Sequence, residues 1–584
     1  MPVYDELTRP HVESYNFFLN EALNLIPKTL NPVPFEIPGF PLVSLWINSI
    51  TIHEPTRPGA SDTLSTPLLP RDAREGSVTY GGILEVDLCR QIGDSPPEHF
   101  NRRLGVWPLM LRSSLCHLSK LDEDGIIAAK ENVNEPGGFF IINGLERLIR
   151  LLIVNRRHYP ITMVRGSWSK RGPRYTDFGV SMRCVRPDES AVSNSLHYLE
   201  DGNVTLRFSH RKAEYFVSLS IILRALIQCS DRQIYETVVA RAHPSDKNFV
   251  RDRMELLLLS AHNVSLFKME DARIFIGRRF RSVLDFPVSY PDQFVGKFII
   301  DNYIMVHLTD DYAKFDILME MLRKLYSMVN GTIAPDNGDS SQHHELLLPG
   351  HLTSIFLKEQ LSIWLSAIKN QIIREHTMKP QTFDIHDQLQ FKKCIDRSGC
   401  DLGRKFEYLL ATGNIRSESG LDLMQQAGFS IVAERINQLR YLAHFRSVHR
   451  GQFFTEMKTT VVRKLLPESW GFLCPVHTPD GTPCGLLLHL AADCHASSIE
   501  SSVDSYSTIV PHLISLGVVP MNSSVINVVP ECPEYLPVYL DGRVVGFTTE
   551  ANMADLDYGL RKLKSCGQIP VFTEIAVVPS NWNS

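Results

Sequence analysis

The residues best placed to do chemistry lie in the segment TPDGTPCG at 478–485. It consists of two successive four-residue motifs, each with Pro in second place and Gly in fourth. Such motifs predict two consecutive turns, and because proline limits backbone freedom, the loop is expected to be stiff. A stiff loop that presents His477 and Asp480 beside a basic stretch suits a site that holds charge in place. A double turn with a purely structural role is the alternative.

Two stretches are basic in a chain whose formal net charge is −5. Residues 141–183 hold nine Lys and Arg against two acidic residues, and residues 435–464 hold seven against Glu456 alone. Lys and Arg neutralise phosphates, and aromatic residues among them stack on bases. A solvated face or a docking surface for an acidic partner is the alternative. The candidates for nucleic-acid binding in the second stretch are Arg435, Arg446, His449, Arg450, Lys458 and Arg463.

Five potential metal ligands occur close together, namely Cys474, His477, Cys484, His489 and Cys494. Structural zinc sites favour ligand pairs about two to four residues apart, and that spacing is clear only for Cys474 and His477. Buried thiols are therefore favoured over zinc, and no metal site is predicted in this chain. The sequence also lacks a GxxxxGK(S/T) phosphate loop, an HExxH motif and a GxSxG motif. It offers no self-contained catalytic constellation.

The elements that must position these residues are predicted from periodicity. The Gly-flanked run at 139–142 predicts a strand, and an Asn-Gly turn after it leads to an amphipathic helix within 137–160. Its apolar face would hold Leu145, Leu148, Ile149 and Leu152.

Later segments carry clearer signals. A helix is predicted over 312–329, capped by Asp310 or Asp311 and stopped at Asn330-Gly331. A second helix is predicted over 353–376. A hairpin is predicted to turn at Asp541-Gly542, followed by a helix that ends at Gly567.

Composition limits the class of protein. A length of 584 residues with 43% hydrophobic and 21% charged residues is typical of globular chains of about four domains. The mixture of strand-like and helical segments predicts an α+β fold. No basic-then-apolar secretory signal and no apolar run of membrane-spanning length occurs, and eleven scattered cysteines argue against a disulfide framework. A soluble intracellular protein is expected.

Four motifs, in order along the chain, resemble blocks of one known family. They are GGFFIINGLERLI at 137–149, FIGRRF at 275–280, FEYLLATGN at 406–414 and WGFLCPVHTPDGTPCGLL at 470–487. The sequence is similar to the second-largest subunit of multisubunit DNA-directed RNA polymerases, and it matches the N-terminal half of that family. Many members read ETPEG where this chain has HTPDG. That variant, with GPRYTDFGVSMRCV at 172–185, resembles the RNA polymerase I type, which makes the large ribosomal RNA precursor.

The resemblance implies a domain arrangement. Residues 1–174 and 345–400 would form the protrusion, 175–344 the lobe and 401–495 the fork. Residues 496–565 would form the first external domain, and 566–584 the start of a second, truncated one. The fork of this family lies beside the active centre, which implies that Arg463, Asp480 and His477 lie near it. Arg463 matches a family arginine, and Asp480 replaces the family's second Glu.

The resemblance also implies cofactors and partners. Mg²⁺ is expected at the assembled active centre but held by the largest subunit, and a zinc site is expected only in the C-terminal half that this sequence does not match. The expected partners are the largest and smaller polymerase subunits, the DNA template, the RNA product and nucleoside triphosphates, with no membrane. The expected location is the nucleus and nucleolus, and the chain alone is expected to be inactive.

Two alternatives remain open at this point. The chain is a non-catalytic nucleic-acid-binding or assembly protein that retains only the N-terminal polymerase modules, or it is the equivalent subunit of RNA polymerase III or II. A retained Glu at the HTPDG position would favour the latter classes.

Overall fold

The computed structural model describes residues 2–57, 66–240, 242, 245–457, 459–497, 505–521 and 535–578. Helices and several sheets alternate along these residues, so the predicted multi-domain α+β fold is confirmed. The strands are β1 (Val33–Phe35), β2 (Val43–Pro55), β3 (Gly81–Ile92), β4 (Glu98–Pro108), β5 (Phe140–Ile142), β6 (Leu145–Ile149), β7 (Leu151–Asn155), β8 (Ile161–Val164), β9 (Tyr175–Val185), β10 (Ala191–Leu199), β11 (Val204–His210), β12 (Ala213–Ser218), β13 (His344–Leu347), β14 (Ser430–Val432), β15 (Ser447–His449), β16 (Leu487–His489), β17 (Val519–Pro520), β18 (Tyr535–Leu540) and β19 (Arg543–Thr549).

The helices range in length from 6 to 30 residues. They are α1 (Pro2–Phe17), α2 (Leu23–Thr29), α3 (Pro70–Glu75), α4 (Glu123–Ala128), α5 (Leu219–Leu226), α6 (Asp231–Ala240), α7 (Lys247–His262), α8 (Met269–Leu284), α9 (Asp292–Tyr303), α10 (Asp311–Val329), α11 (Pro349–Met378), α12 (Gln388–Arg397), α13 (Leu402–Thr412), α14 (Gln438–Arg446), α15 (Ser505–Ser515) and α16 (Glu550–Ser565). Within the described residues, no helix combines the length and apolar character that crossing a bilayer requires.

The chain divides into two compact units. Unit 1 comprises residues 1–154, 187–190 and 344–498. Its largest sheet is antiparallel in the order β1-β2-β3-β4, and two smaller sheets have the orders β14-β6-β5 and β13-β7-β15-β16. Trp107 at the end of β4 stacks on Phe406 of α13, with ring centroids 4.4 Å apart, and both side chains are buried in the core. This packing fixes α13 on the large sheet.

Unit 2 comprises residues 155–186, 191–343 and 499–584. Its five-stranded antiparallel sheet has the order β12-β11-β10-β9-β8, and α10 supplies many residues of the adjoining core. A three-stranded sheet, β17-β19-β18, lies near the end of the chain. Val544 and Phe547 of β19 belong to the same apolar cluster as the buried face of α10, so this last sheet is anchored in the unit 2 core.

Several predicted elements are confirmed. The helix predicted over 312–329 is α10, and the Asp310 side chain caps it by accepting a hydrogen bond from the backbone N–H of Tyr312. The helix predicted over 353–376 lies within α11. The hairpin of β18 and β19 turns at Asp541 and Gly542, both with positive φ, as an Asn/Asp-Gly hairpin requires.

The prediction of an amphipathic helix after the Asn-Gly turn is wrong. Asn143 and Gly144, both with positive φ, join β5 to β6 in a tight hairpin, and the chain continues as β7. Leu145 is 55% exposed, whereas Leu148 and Ile149 are buried. β6 pairs with β14 and β7 with β15, so strand partners from distant parts of the sequence override the local helical spacing.

The module boundaries predicted at 174, 344, 400 and 495 remain predictions. The boundaries of the two compact units differ from the predicted module boundaries. Residues 155–174, for example, lie in unit 2, where β8 pairs with β9. Residues 344–498 lie in unit 1. The segment that carries the candidate site therefore shares one compact unit with the large N-terminal sheet.

Candidate functional site

The candidate site is built on a short framework of α14, β15 and β16. β15 pairs with β7 in parallel and with β16 in antiparallel register, where Ser447 lies opposite His489. The α14 helix begins at an Asn437 side chain that accepts from the backbone N–H of Arg440. Between β15 and β16 the chain forms a loop that we call the Pro-Gly loop, residues 478–485.

Thr478 closes the Pro-Gly loop. Its hydroxyl oxygen accepts a hydrogen bond of 3.0 Å from the backbone N–H of Gly485 and donates one of 2.9 Å to the carbonyl oxygen of Leu487. Gly481 and Gly485 have φ of 83° and 74°, a region that favours glycine. The first predicted turn is a bend. The hydrogen-bonded turn lies one residue earlier than the second motif predicts, because the Cys484 N–H donates a bond of 3.1 Å to the Gly481 carbonyl and so closes residues 481–484. The loop therefore has a fixed conformation.

Arg463 is fastened to this loop. It ends a 3₁₀ turn, Val461–Arg463, and its Nη1 donates hydrogen bonds of 2.7 Å to the carbonyl oxygens of Thr482 and Cys484. One edge of the guanidinium is therefore occupied by the loop backbone. Because a guanidinium carries five N–H donors, this arrangement orients the cation without using its whole bonding capacity.

His477 and Asp480 are both exposed on the same loop region. The His477 ring stacks on His489 of β16 with centroids 4.1 Å apart and planes within 8°. Burial lowers the pKa of His489, and the nearby His477 and Arg446 lower it further against an opposing hydrogen bond to the Leu490 carbonyl. The stack with His489 thus supports the exposed His477 ring, three residues before Asp480 in the chain.

Arg435, predicted to bind nucleic acid, is engaged by two carboxylates. It pairs with Glu135 at 2.9 Å and with Glu146, and its guanidinium lies 4.3 Å from the centroid of the Tyr441 ring. Burial opposes the charge, but Glu146, Tyr441 and Glu135 outweigh burial and raise the pKa of Arg435. In this position Arg435 ties the start of α14 to the N-terminal part of unit 1.

Arg446 and Arg450 bind the backbone of their own chain. Arg446 Nη2 donates to the carbonyl oxygens of Ala491 and, at 3.0 Å, Cys494. Arg450 is buried, donates from Nη1 to the Val462 carbonyl at 3.0 Å and packs over the Phe454 ring. Both arginines hold the segments that flank the Pro-Gly loop.

His449 is also buried. Its Nδ1 accepts a hydrogen bond of 3.0 Å from the backbone N–H of Gly451, and burial, aided by the positive charge of Arg150, lowers its pKa to about 4. The sequence grouped His449 with Arg435, Arg446, Arg450 and Arg463, whereas each has a partner within unit 1. Their contact with nucleic acid stays a prediction, and Lys458 lies outside the described residues.

Apolar exposure beside the loop is a feature that the sequence reasoning missed. The exposed fractions of Trp470, Phe472 and Val476 are 70%, 59% and 82%. These three lie within seven residues of the chain, and exposed apolar side chains that form a patch mark surfaces that contact other molecules. The available signal was the run WGFLCPV, which has neither helical nor strand periodicity and lies between turns.

The five Cys and His residues considered as zinc ligands do not converge. Among the described residues, one group of three Cys, His, Asp or Glu has its ligand atoms within 4.8 Å of one another, and it consists of Asp87, Cys89 and His99. That group lies on the large N-terminal sheet and was also missed. Its signal was a Cys and a His ten residues apart on two strands joined by a short turn.

Comparison with protein families gives two matches. The family described as RNA polymerase beta subunit matches residues 6–396, which is more than half of the chain. A second family, described as RNA polymerase Rpb2, domain 3, matches residues 431–496, the segment that carries the Pro-Gly loop.

Curated relatives match over most of the chain. DNA-directed RNA polymerase I subunit rpa2 of Dictyostelium discoideum is 36% identical over 98% of this chain and 52% of the relative. The RPA2 subunits of Neurospora crassa and Homo sapiens are 42% and 38% identical, over 88% and 98% of this chain and 42% and 50% of the relatives. The chain therefore spans about half the length of the curated relatives it matches.

Proposed function

The chain belongs to the RNA polymerase beta-subunit family, and from that premise we propose that it supplies the protrusion, lobe and fork of the second-largest subunit of a DNA-directed RNA polymerase I. In this role it contributes to templated synthesis of ribosomal RNA in the nucleolus of the nucleus. Its partners are the largest and smaller polymerase subunits, the DNA template, the RNA product and nucleoside triphosphates. The relatives named above support the polymerase I class.

The observation that carries the proposal is the attachment of Arg463 to the Pro-Gly loop. Nucleotidyl transfer needs positive groups held toward the triphosphate and little covalent chemistry from protein side chains. A cation oriented by two backbone carbonyls loses little further freedom when it meets an anion. Arg463 therefore acts as a positioning group for the incoming nucleotide in the assembled enzyme.

Asp480 and His477 contribute to the same surface. Both are exposed on or next to the loop that holds Arg463. A carboxylate and an imidazole at that place orient the arginine, or water on the nucleotide, rather than react themselves. Their position supports a role near the active centre and no role as nucleophile or general acid.

The exposed apolar surface of Trp470, Phe472 and Val476 supports assembly into a larger complex. Leaving three such side chains in water is unfavourable, and covering them would bury apolar area at about 25 cal/mol per Å². We assign this surface to contact with other parts of the polymerase. In the same segment of the chain, the partly exposed Arg463 and the exposed Lys464 supply the positive charge that meets nucleic acid.

The described residues do not fit a catalytic Mg²⁺ site. Mg²⁺ prefers oxygen ligands, whereas the close ligand group found among these residues combines a carboxylate with a thiol and an imidazole. No step of nucleotidyl transfer is assigned to a metal on this chain. The Mg²⁺ of the assembled active centre belongs, in this proposal, to the largest subunit.

The proposal is tested by purification of the tagged chain from its own cells. We expect the largest polymerase subunit to accompany it, the complex to synthesise RNA without a promoter, and the attached nascent RNA to be the ribosomal precursor. Synthesis of RNA by the 584-residue chain alone would contradict the proposal, as would a purified complex without the largest subunit. Nascent messenger or small structural RNA would assign the chain to polymerase II or III.

A further inference from the structure

We propose that the large N-terminal sheet carries a binding site for a zinc-class divalent cation, formed by Asp87, Cys89 and His99. The site lies on β3 and β4, away from the Pro-Gly loop in sequence, and it is independent of the function proposed above. It would cross-link two neighbouring strands of the sheet.

The strand register brings the three side chains together. Cys89 lies directly opposite His99 in the antiparallel pairing of β3 and β4. Asp87 precedes Cys89 by two residues, so both side chains are on the same face of the sheet. His99 Nδ1 is 3.3 Å from Cys89 Sγ and 2.8 Å from Asp87 Oδ2. The ligand atoms of all three lie within 4.8 Å of one another.

These separations are close to those that a tetrahedral zinc ion imposes. Zn–S and Zn–N bonds of about 2.3 and 2.0 Å place S and N about 3.6 Å apart, and N and O about 3.3 Å apart. The observed distances are shorter by about 0.5 Å or less, which side-chain rotation accommodates. The backbone does not have to move for the three atoms to share one cation.

The polar groups of Asp87, Cys89 and His99 do not meet one another's hydrogen-bonding requirements. The single Nδ1 of His99 is within hydrogen-bonding distance of both a carboxylate and a thiol, although a neutral ring can donate only one proton there. Asp87 Oδ1 is buried and has no hydrogen-bond partner among the described residues. A buried carboxylate oxygen without a partner is costly, and a cation held by both oxygens of the Asp87 carboxylate and by His99 Nδ1 would satisfy both groups at once.

The surroundings suit a bound ion. The Asn48 side chain donates a 2.9 Å hydrogen bond to Asp87 Oδ2 and so orients the carboxylate. Cys89 is 1% exposed, whereas the His99 side chain is 54% exposed, so the ion is reached from the solvent side. Water supplies the fourth ligand, and the Cys89 thiol proton passes to solvent when the sulfur binds. The mixed oxygen, nitrogen and sulfur set favours Zn²⁺ or Co²⁺ over Mg²⁺.

The test uses the full 584-residue chain freed of metal with a chelator. Titration with Co²⁺ should produce a sulfur-to-cobalt charge-transfer band that saturates at about one ion per chain, and Zn²⁺ should abolish the band by displacement. Cys89→Ser should remove the band, and His99→Gln should weaken Co²⁺ binding at least about tenfold. Because His99 is largely exposed, its replacement leaves the fold intact.

Two matched variants serve as controls. Cys474→Ser removes a thiol from the group considered as zinc ligands in the sequence, and His53→Gln removes an exposed histidine that pairs with Glu85 on the same sheet. Both should bind Co²⁺ as the wild type does. Absence of a charge-transfer band in the wild type would overturn the proposal, as would a band lost in Cys474→Ser but kept in Cys89→Ser.

Discussion

Gly485 lies directly against Arg463: a Cβ built on the glycine would be 2.5 Å from the Arg463 carbonyl oxygen and 2.9 Å from its Cβ. The Arg463 side chain then reaches past this contact to the carbonyls of Thr482 and Cys484. The arginine and the Pro-Gly loop consequently form one rigid piece. A disturbance of either is expected to displace the other.

Gly485→Ala is expected to separate Arg463 from the Pro-Gly loop. The substitution adds the strain of a positive φ to a backbone clash, and we expect it to destabilise the loop by more than about 2 kcal/mol. Gly481→Ala is the matched control, because φ is also positive there but no atom lies within 4 Å of the added Cβ. It should cost only about 1 kcal/mol. Hydrogen exchange of the amides at 478–490 measures both changes, and equal effects of the two variants would contradict the contact.

The Pro-Gly loop could be predicted in part from sequence because the signal for bends is local, although its hydrogen-bonded turn closes one residue earlier than the motif predicts. Proline and glycine at fixed places within eight residues determine the backbone of 478–485. The same holds for α10, where Asp310 caps a helix whose apolar spacing is visible in the sequence. These elements need no information from distant segments.

The strands β6 and β7 could not be predicted in the same way. Their run of leucine and isoleucine fits one face of a helix, but Leu148 pairs with Ile431 and Leu152 with His449, nearly 300 residues later. No local pattern contains those partners. Likewise, the carbonyls that hold Arg446 lie more than 40 residues beyond it, so composition marks a basic stretch without revealing which cations face inward.

Arg435→Ala is expected to loosen α14. It leaves the buried carboxylate of Glu135 without a cation and that of Glu146 with Arg74 alone, which we expect to cost about 2 kcal/mol locally. Arg440→Ala is the control, since that arginine makes a solvent-exposed pair with Glu434, and such surface pairs contribute little to stability. Hydrogen exchange of the 438–446 amides measures the difference. An unchanged helix in Arg435→Ala would return this residue to the set of candidates for nucleic-acid binding.

The framework of the loop is expected to weaken in acid. The pKa of His449 is about 4 in the folded chain against about 6.5 when unfolded. The unfolded state therefore binds more protons, so stability is fully present above pH 6.5 and falls as the pH drops toward 4. At pH 5.5 the loss from this residue is about 1.4 kcal/mol.

Hydrogen exchange of β15 and β16 at pH 7 and pH 5.5, corrected for intrinsic rates, measures this loss. His449→Asn keeps an acceptor near the Gly451 N–H and should reduce the pH dependence, whereas His53→Gln, on a different sheet, should preserve it. A pH dependence in β15 that survives His449→Asn would assign the effect to another group.

Binding of DNA by the full chain is expected to weaken steeply as salt rises. Each phosphate contact contributes a slope of about −0.9 in log K against log salt. Lys464 is exposed, so Lys464→Ala should reduce the slope by about one such unit. Arg404→Ala, an exposed arginine on α13, is the control and should leave the slope unchanged. A flat salt response of the wild type would support docking of a protein partner instead.

The central claim is that Arg463, held by the Pro-Gly loop, positions the nucleotide in an assembled polymerase. Its most direct test is the kcat/KM for nucleotide incorporation by the purified complex carrying Arg463→Ala, with Arg404→Ala measured beside it. We expect a loss of at least about tenfold for Arg463→Ala, equivalent to about 1.4 kcal/mol of transition-state stabilisation, and no loss for Arg404→Ala. An unchanged kcat/KM in a fully assembled Arg463→Ala complex would contradict the claim and leave Arg463 as a structural clamp of the loop.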